Sequence, residues 1–189
     1  MDRIEEIKQI FGFKHELKDC QLECLNVFSK KRDLVAILPT GFGKSIVYQM
    51  TPYIAHGQKM LPFDQINCTT LIITPLNSIM KDQVFDLCKR GIKACAIDFR
   101  AQNALTYVPS MADLNLGGDT SSSSSDDDEE GQLDYVGVSL DRVAEGKYQL
   151  VYAHPEVFVS TEKGRTLLRK MKSIVVAIAV DEAHMILEW

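Results

Sequence analysis

Apolar residues recur along this chain in two rhythms. Ile4, Ile7 and Ile10 fall three apart, and Leu17, Leu22, Leu25 and Phe28 resume helical spacing after a break at Phe11-Gly12-Phe13. Such spacing puts the apolar side chains on one face of a helix. The second rhythm is the short unbroken apolar run. It occurs at LVAIL (34–38), TTLIIT (69–74), KACAID (93–98), YQLVYA (148–153) and, most clearly, SIVVAIAV (173–180). Runs of this length suit strands of a parallel sheet covered on both faces. Helical stretches alternate with them: SIVYQMTPYIA (45–55), NSIMKDQVFDLCKR (77–90) with Gly91 as its stop, and TEKGRTLLRKM (161–171). The alternation predicts an α/β fold, a mostly parallel sheet flanked by helices. Ligands of such sheets bind beyond the carboxyl ends of the strands.

One stretch has neither rhythm. Residues 110–134 are polar, with Met111, Leu114, Leu116 and Leu133 as their large apolar side chains. They cannot repay the cost of ordering, so the stretch is expected to be a disordered Ser/Asp/Glu-rich insertion. Its serines, placed beside acids, are candidate kinase substrates; a tolerated loop expansion is the other reading. The expected organisation is N-terminal helices over 1–30, then one lobe over 31–189 that contains the insertion.

Composition narrows the class. The chain has 189 residues, 46% hydrophobic and 25% charged, which fits one globular domain. No apolar run approaches the ~18–20 residues of a membrane-spanning helix, and Asp2, Glu5 and Glu6 argue against a secretory signal. The net charge of −5 is misleading, because residues 119–130 hold six acids and no base. The rest is nearly neutral, so a phosphate-binding surface must be a local patch. The five cysteines include no C-x-x-C pair. Cys20 and Cys24, one helical turn apart, are either metal ligands or small buried apolar residues in a reducing compartment.

The sharpest chemistry is LPTGFGKS (38–45), between a predicted strand and a predicted helix. Gly41 and Gly43 let the backbone turn its N–H groups toward phosphate oxygens, and the helix adds its positive end. Lys44 would reach the β- and γ-phosphates and Ser45 would bind Mg²⁺. The general P-loop pattern has glycine where Leu38 stands. The second motif, VVAIAVDEAH, puts Asp181 and Glu182 directly after a strand. Alone, two acids there also suit a helix N-terminus. With the loop upstream they read as a Walker B pair, Asp181 holding Mg²⁺ and Glu182 deprotonating water. His184 would sense the γ-phosphate, couple to a second domain, or cap local packing.

Together these segments resemble the RecQ family of DNA helicases, in the second helicase superfamily. FGFKHELKDCQLECL (11–25) is similar to the family's adenine-reading segment, with Lys18 at the basic position and Gln21 at the glutamine. Leu17 replaces an aromatic residue there and Cys20 replaces a glycine. LPTGFGKSIVYQ is similar to a phosphate loop that itself lacks the first glycine. LIITPLNSIMKDQV (71–84) resembles the segment that grips single-stranded DNA, YAHPE (152–156) a Y-x-x-P-E segment, and DEAHMILEW (181–189) the D-E-A-H motif and the start of an aromatic-rich loop.

The resemblance implies a RecA-like lobe that uses ATP and Mg²⁺ to unwind DNA 3′-to-5′, on single strands and single/double-strand junctions. Repair, recombination and a nuclear setting follow from the same likeness. It implies nucleotide binding by Lys18, Gln21, Pro39, Thr40, Gly41, Gly43, Lys44 and Ser45, and metal binding by Ser45 and Asp181. Catalysis would fall to Lys44, Asp181, Glu182 and His184. DNA contact would fall to Thr74, Pro75, Asn77, Ser78, Lys81, Gln83 and Trp189. The family's first lobe runs past Trp189 and a second lobe carries arginines, so the expectation is a truncated first lobe with little activity alone. The competing reading is a non-catalytic nucleotide- and DNA-binding module or adaptor. A P-loop enzyme of another class, such as a small-molecule kinase, is disfavoured by Gln21, Leu38 and DEAH.

Overall fold

The computed structural model describes residues 3–39, 41–57, 67–98, 105–109 and 135–184. Thr40, the 110–134 insertion and Trp189 lie outside them. In chain order the elements are α1 (Arg3–Ile10), α2 (Asp19–Ser29), α3 (Lys44–Gly57), β1 (Thr69–Ile73), α4 (Asn77–Lys89), β2 (Ala94–Asp98), β3 (Leu105–Pro109), β4 (Tyr135–Gly137), α5 (Leu140–Ala144), β5 (Leu150–Ala153), α6 (Pro155–Val159), α7 (Glu162–Met171) and β6 (Val175–Val180).

The strands form one sheet of order β4-β3-β2-β5-β1-β6. The pairs β2–β5, β5–β1 and β1–β6 are parallel, whereas β3 pairs antiparallel with both β2 and β4. The period of two along each inner strand divides the core. Ile72, Ala94, Ala96, Leu150 and Tyr152 face α1–α4, where Ile7, Phe11, Leu25, Met50, Tyr53, Met80 and Val84 are buried. Leu71, Cys95, Ile97, Val151 and Ala153 face the other way, against Val143, Val157, Leu167 and Met171 of α5–α7. Each fully buried large side chain contributes about 1.5–3 kcal/mol, so covering both faces is what holds the three layers together.

Most expected elements form within a residue or two of their predicted limits. Gly91, at φ +76°, ends the helix α4 as anticipated. The run 34–38 does not form a strand: Val35 is 88% and Ile37 92% exposed. The physical reason is that no hydrogen-bonding neighbour stands beside it among the described residues. A groove of about 590 Å³, lined by Leu34, Tyr48, Thr51, Val176 and Ile178 among others, separates this stretch from β6. β6 is therefore an edge strand among the described residues, with Ile178 and Val180 exposed, and not the doubly covered strand its sequence suggests.

α3 contains Pro52, which has no N–H to donate to the Tyr48 carbonyl four residues back. The Thr51 hydroxyl donates to that carbonyl instead, at 2.7 Å, and lies 2.6 Å from the Thr70 hydroxyl of β1. The helix thus keeps its carbonyl satisfied and gains a polar pin to the sheet.

Candidate functional site

The site lies where the fold predicts, at the carboxyl ends of β1 and β6 and the amino end of α3. The Asp181 N–H donates to the Ile73 carbonyl at 2.9 Å, extending the parallel ladder one residue past β6. This fixes Asp181 beside the mouth of the sheet. Glu182 follows at φ +52°, a left-handed conformation that costs a non-glycine residue about 1–2 kcal/mol. Its N–H donates to Asp181 Oδ1 at 3.0 Å, which helps to hold the turn. His184 Nδ1 lies 3.3 Å from Glu182 Oε2, with the imidazole largely exposed.

The loop before α3 turns at Gly41 (φ +75°) and Gly43 (φ +79°), and the Phe42 N–H donates to the Pro39 carbonyl at 3.2 Å. Both glycines take a conformation closed to most side chains. Lys44 Nζ donates to the Leu38 carbonyl at 3.5 Å, folded back over its own loop. Gln21 clamps this loop from α2. Its Nε2 donates to the Phe42 and Gly43 carbonyls, both at 3.1 Å, and its Oε1 accepts from the Lys18 N–H at 2.8 Å. The side chain is 3% exposed, so both ends of the carboxamide are engaged by backbone. Lys18 Nζ sits 3.7 Å from the centre of the Phe42 ring, a cation–π contact. Phe42 is a participant that the sequence reading passed over.

A hydrogen-bonded cluster joins this loop to the acidic turn. The Tyr48 hydroxyl lies 3.0 Å from Asp181 Oδ2 and 3.1 Å from Gln83 Oε1. The Tyr152 hydroxyl donates to Gln83 Oε1 at 2.8 Å, and Gln49 Nε2 donates to the Tyr152 oxygen at 3.2 Å. Gln83 Nε2 donates to Ser45 Oγ at 3.3 Å. Burial, followed by the Asp181 carboxylate, pushes the Tyr48 phenol well above its ordinary value, and burial does the same for Tyr152. Both are therefore neutral donors at physiological pH. Tyr48 and Gln49 lie three and four residues after Ser45, on its face of α3. That spacing was the available signal for them.

Ser45 and Asp181 are thus held around one Gln83–Tyr48 pair. A hydroxyl and a carboxylate are hard oxygen ligands of the kind Mg²⁺ takes, so the donor set fits the metal that the loop motif implies. Of the expected DNA-contact residues, Ser78 and Lys81 lie exposed on α4. Thr74 is 1% exposed, and its hydroxyl is buried without a hydrogen-bond partner among the described residues. Pro75 is half-buried, and Gln83 turns inward as described. All five cysteines are free, with Cys24, Cys68 and Cys95 buried, and the described residues contain no cluster of three or more His, Cys, Asp or Glu placed to hold a metal. No described helix is long and apolar enough to cross a membrane.

Comparison with known proteins gives a consistent picture. The sequence profile of the family described as DEAD/DEAH box helicase matches residues 18–189. The chain is 30% identical over 181 residues to the ATP-dependent DNA helicase RecQ of Bacillus subtilis (strain 168), covering 95% of this chain and 23% of that protein. It is 25% identical over 189 residues to the ATP-dependent helicase SGS1 of Saccharomyces cerevisiae, covering 99% of this chain and 10% of that one. With the ATP-dependent helicase wrn-1 of Caenorhabditis elegans the values are 25%, 100% and 14%. The chain therefore spans between a tenth and a quarter of the length of these relatives.

Proposed function

The chain belongs to the DEAD/DEAH box helicase family, and we propose that it works as the ATP-binding motor lobe of a RecQ-like helicase, coupling ATP hydrolysis to 3′-to-5′ DNA unwinding. The observation that carries this reading is the placement of Ser45 and Asp181 around a shared hydrogen-bonded pair, at the carboxyl ends of parallel strands. Lys44 and Glu182 flank that placement from the loop and from the turn.

In this reading the backbone N–H groups of the 39–45 loop and Lys44 take the phosphates. A hydroxyl and a carboxylate, Ser45 and Asp181, take Mg²⁺, which supplies charge neutralisation at the phosphates. Glu182 accepts the proton of the attacking water. Its left-handed backbone fixes where its carboxylate projects, and His184 holds one carboxylate oxygen. Lys18 and Gln21 lie against the loop and are assigned to the adenine. Single-stranded DNA crosses the α4 side of the sheet mouth, met by Ser78 and Lys81 with contributions from the 74–77 turn. Such contacts go to phosphates and so position the strand without reading its sequence. A second motor lobe is the expected partner, and repair and recombination, in the nucleus of a eukaryotic cell, are the expected setting.

The test is titration of the 189-residue chain with a fluorescent ATP analogue and Mg²⁺. Wild type should bind saturably. Lys44→Ala should weaken binding about 10- to 100-fold, the equivalent of one charge-assisted hydrogen bond of about 1.5–3 kcal/mol. Glu182→Gln should bind like wild type while slowing any turnover. Absence of saturable binding by wild type, or an unchanged Lys44→Ala titration, would refute the reading.

A further inference from the structure

Gln83 was expected at the DNA face, but its side chain lies on the nucleotide side. Its helix, α4, is anchored to the core through Met80, Val84 and Leu87 and exposes Ser78 and Lys81. Gln83 projects between these two faces, toward α3. There it touches the two residues that would hold Mg²⁺, Ser45 directly and Asp181 through Tyr48.

Counting hydrogens shows that this cluster has two settings. The Tyr48 hydroxyl carries one hydrogen and has two acceptors in range, Asp181 Oδ2 at 3.0 Å and Gln83 Oε1 at 3.1 Å. Gln83 Oε1 already accepts from Tyr152 at 2.8 Å, and Gln49 Nε2 stands 3.4 Å away as a further donor. One lone pair therefore belongs to Tyr152, and Tyr48 and Gln49 compete for the other. Gln49 has the Tyr152 oxygen as its alternative, so the cluster stays satisfied whichever acceptor Tyr48 uses. Gln83 Nε2, meanwhile, donates into the Ser45 oxygen, whose lone pairs are also what a metal would use. The state of the Ser45–Asp181 pair thus decides which bonds Gln83 keeps.

We propose that Gln83 is a positioning residue that links the Ser45–Asp181 pair to α4, so that nucleotide binding and single-strand binding are coupled through its side chain. This rests on the reading of the lobe as a nucleotide- and DNA-binding motor domain. Drawing Ser45 and Asp181 toward a cation frees Gln83 Nε2 and sends the Tyr48 hydrogen to Gln83 Oε1. The same exchange resets α4 one residue from Asp82 and two from Lys81. Linkage is reciprocal, so a strand bound on α4 must change nucleotide affinity by the same factor.

The experiment is a binding cycle on the 189-residue chain. Affinity for a fluorescent ATP analogue with Mg²⁺ is measured with and without oligothymidylate, and oligothymidylate affinity with and without nucleotide. Wild type should show a coupling factor of about 5 or more in both directions. Gln83→Leu, which keeps the bulk and removes both polar ends, should hold each ligand alone within about 3-fold of wild type while the factor falls to about 1. Tyr48→Phe, which removes the shared hydroxyl and keeps the ring, should lower the factor too and serves if Gln83→Leu does not fold. A merely structural glutamine would change both affinities together and leave their ratio alone. Retained coupling in folded Gln83→Leu, or no coupling in a wild type that binds both ligands, overturns this proposal and spares the functional reading. A wild type that binds neither ligand overturns both.

Discussion

Replacing Gly43 by alanine probes how the phosphate loop is held. Two separate costs can be read from the structure. Gly43 sits at φ +79°, where a Cβ costs about 1–2 kcal/mol. That Cβ would also lie 2.6 Å from Gln21 Nε2. The amide is the end of a flexible side chain and can turn away. Doing so forfeits its bonds to the Phe42 and Gly43 carbonyls, worth about 0.5–1.5 kcal/mol each. Gly43→Ala should therefore cost about 2–5 kcal/mol. For a chain of this size, 1 kcal/mol moves the melting temperature by about 2–4 °C. In a Gln21→Ala background the clash has no partner and only the backbone cost of about 1–2 kcal/mol should remain. Urea unfolding of the four proteins of this cycle, followed by circular dichroism, gives a coupling energy of about 1–3 kcal/mol if the reasoning holds. Equal costs in both backgrounds, within about 0.5 kcal/mol, would show that Gln21 does not clamp the loop.

Two further outcomes are expected. Tyr48, Tyr53, Tyr148 and Tyr152 all have phenols raised chiefly by burial, above an ordinary value of about 10. Their neutral forms are favoured by folding, so stability should be intact below about pH 10 and fall as pH climbs toward the raised values. Absorbance near 295 nm should then show most tyrosines ionising together with unfolding; independent ionisation at pH 10–11 in folded protein would contradict the packing. Residues 110–134 should be replaceable by a short Gly-Ser turn, because the flanking Pro109 and Tyr135 are paired neighbours in the β3–β4 ladder. The melting temperature should stay within a few degrees, and a large fall would show that the segment packs on the lobe.

How much of this was legible in the sequence depends on how local each feature is. The runs at 69–74, 93–98 and 148–153 became the inner strands, because an apolar run with helical stretches on both sides has few other ways to be buried. The 34–38 run misled because a strand needs a neighbour, and hydropathy does not say whether one is present. β3 and β4 are short and antiparallel, flank the polar insertion, and carry no long apolar run. α6 begins at Pro155, inside the YAHPE segment, where no helix was expected; His154 in extended backbone as N-cap and Pro155 at the first helical position make it a helix start. At the site, the glycines, Lys44, Ser45, Asp181 and Glu182 were readable because their spacing is the signal. The inward turn of Gln83 was not, since only packing reveals which face of α4 meets α3.

The bare edge of β6 has a consequence for how this protein behaves in solution. Among the described residues the outer N–H and C=O groups beside Ile178 and Val180 have no strand partner, and they form a template for another chain's strand. The exposed 34–38 stretch is a β-prone segment ready to add to it. Two copies therefore carry complementary sticky surfaces, and repulsion between bodies of nearly zero net charge does little to keep them apart. The six acids of residues 119–130 account for the chain's net charge of −5. On this view the acidic tract is the molecule's colloidal counterweight: high salt, which screens it, or its removal should turn a stable lobe into one that precipitates as it is concentrated.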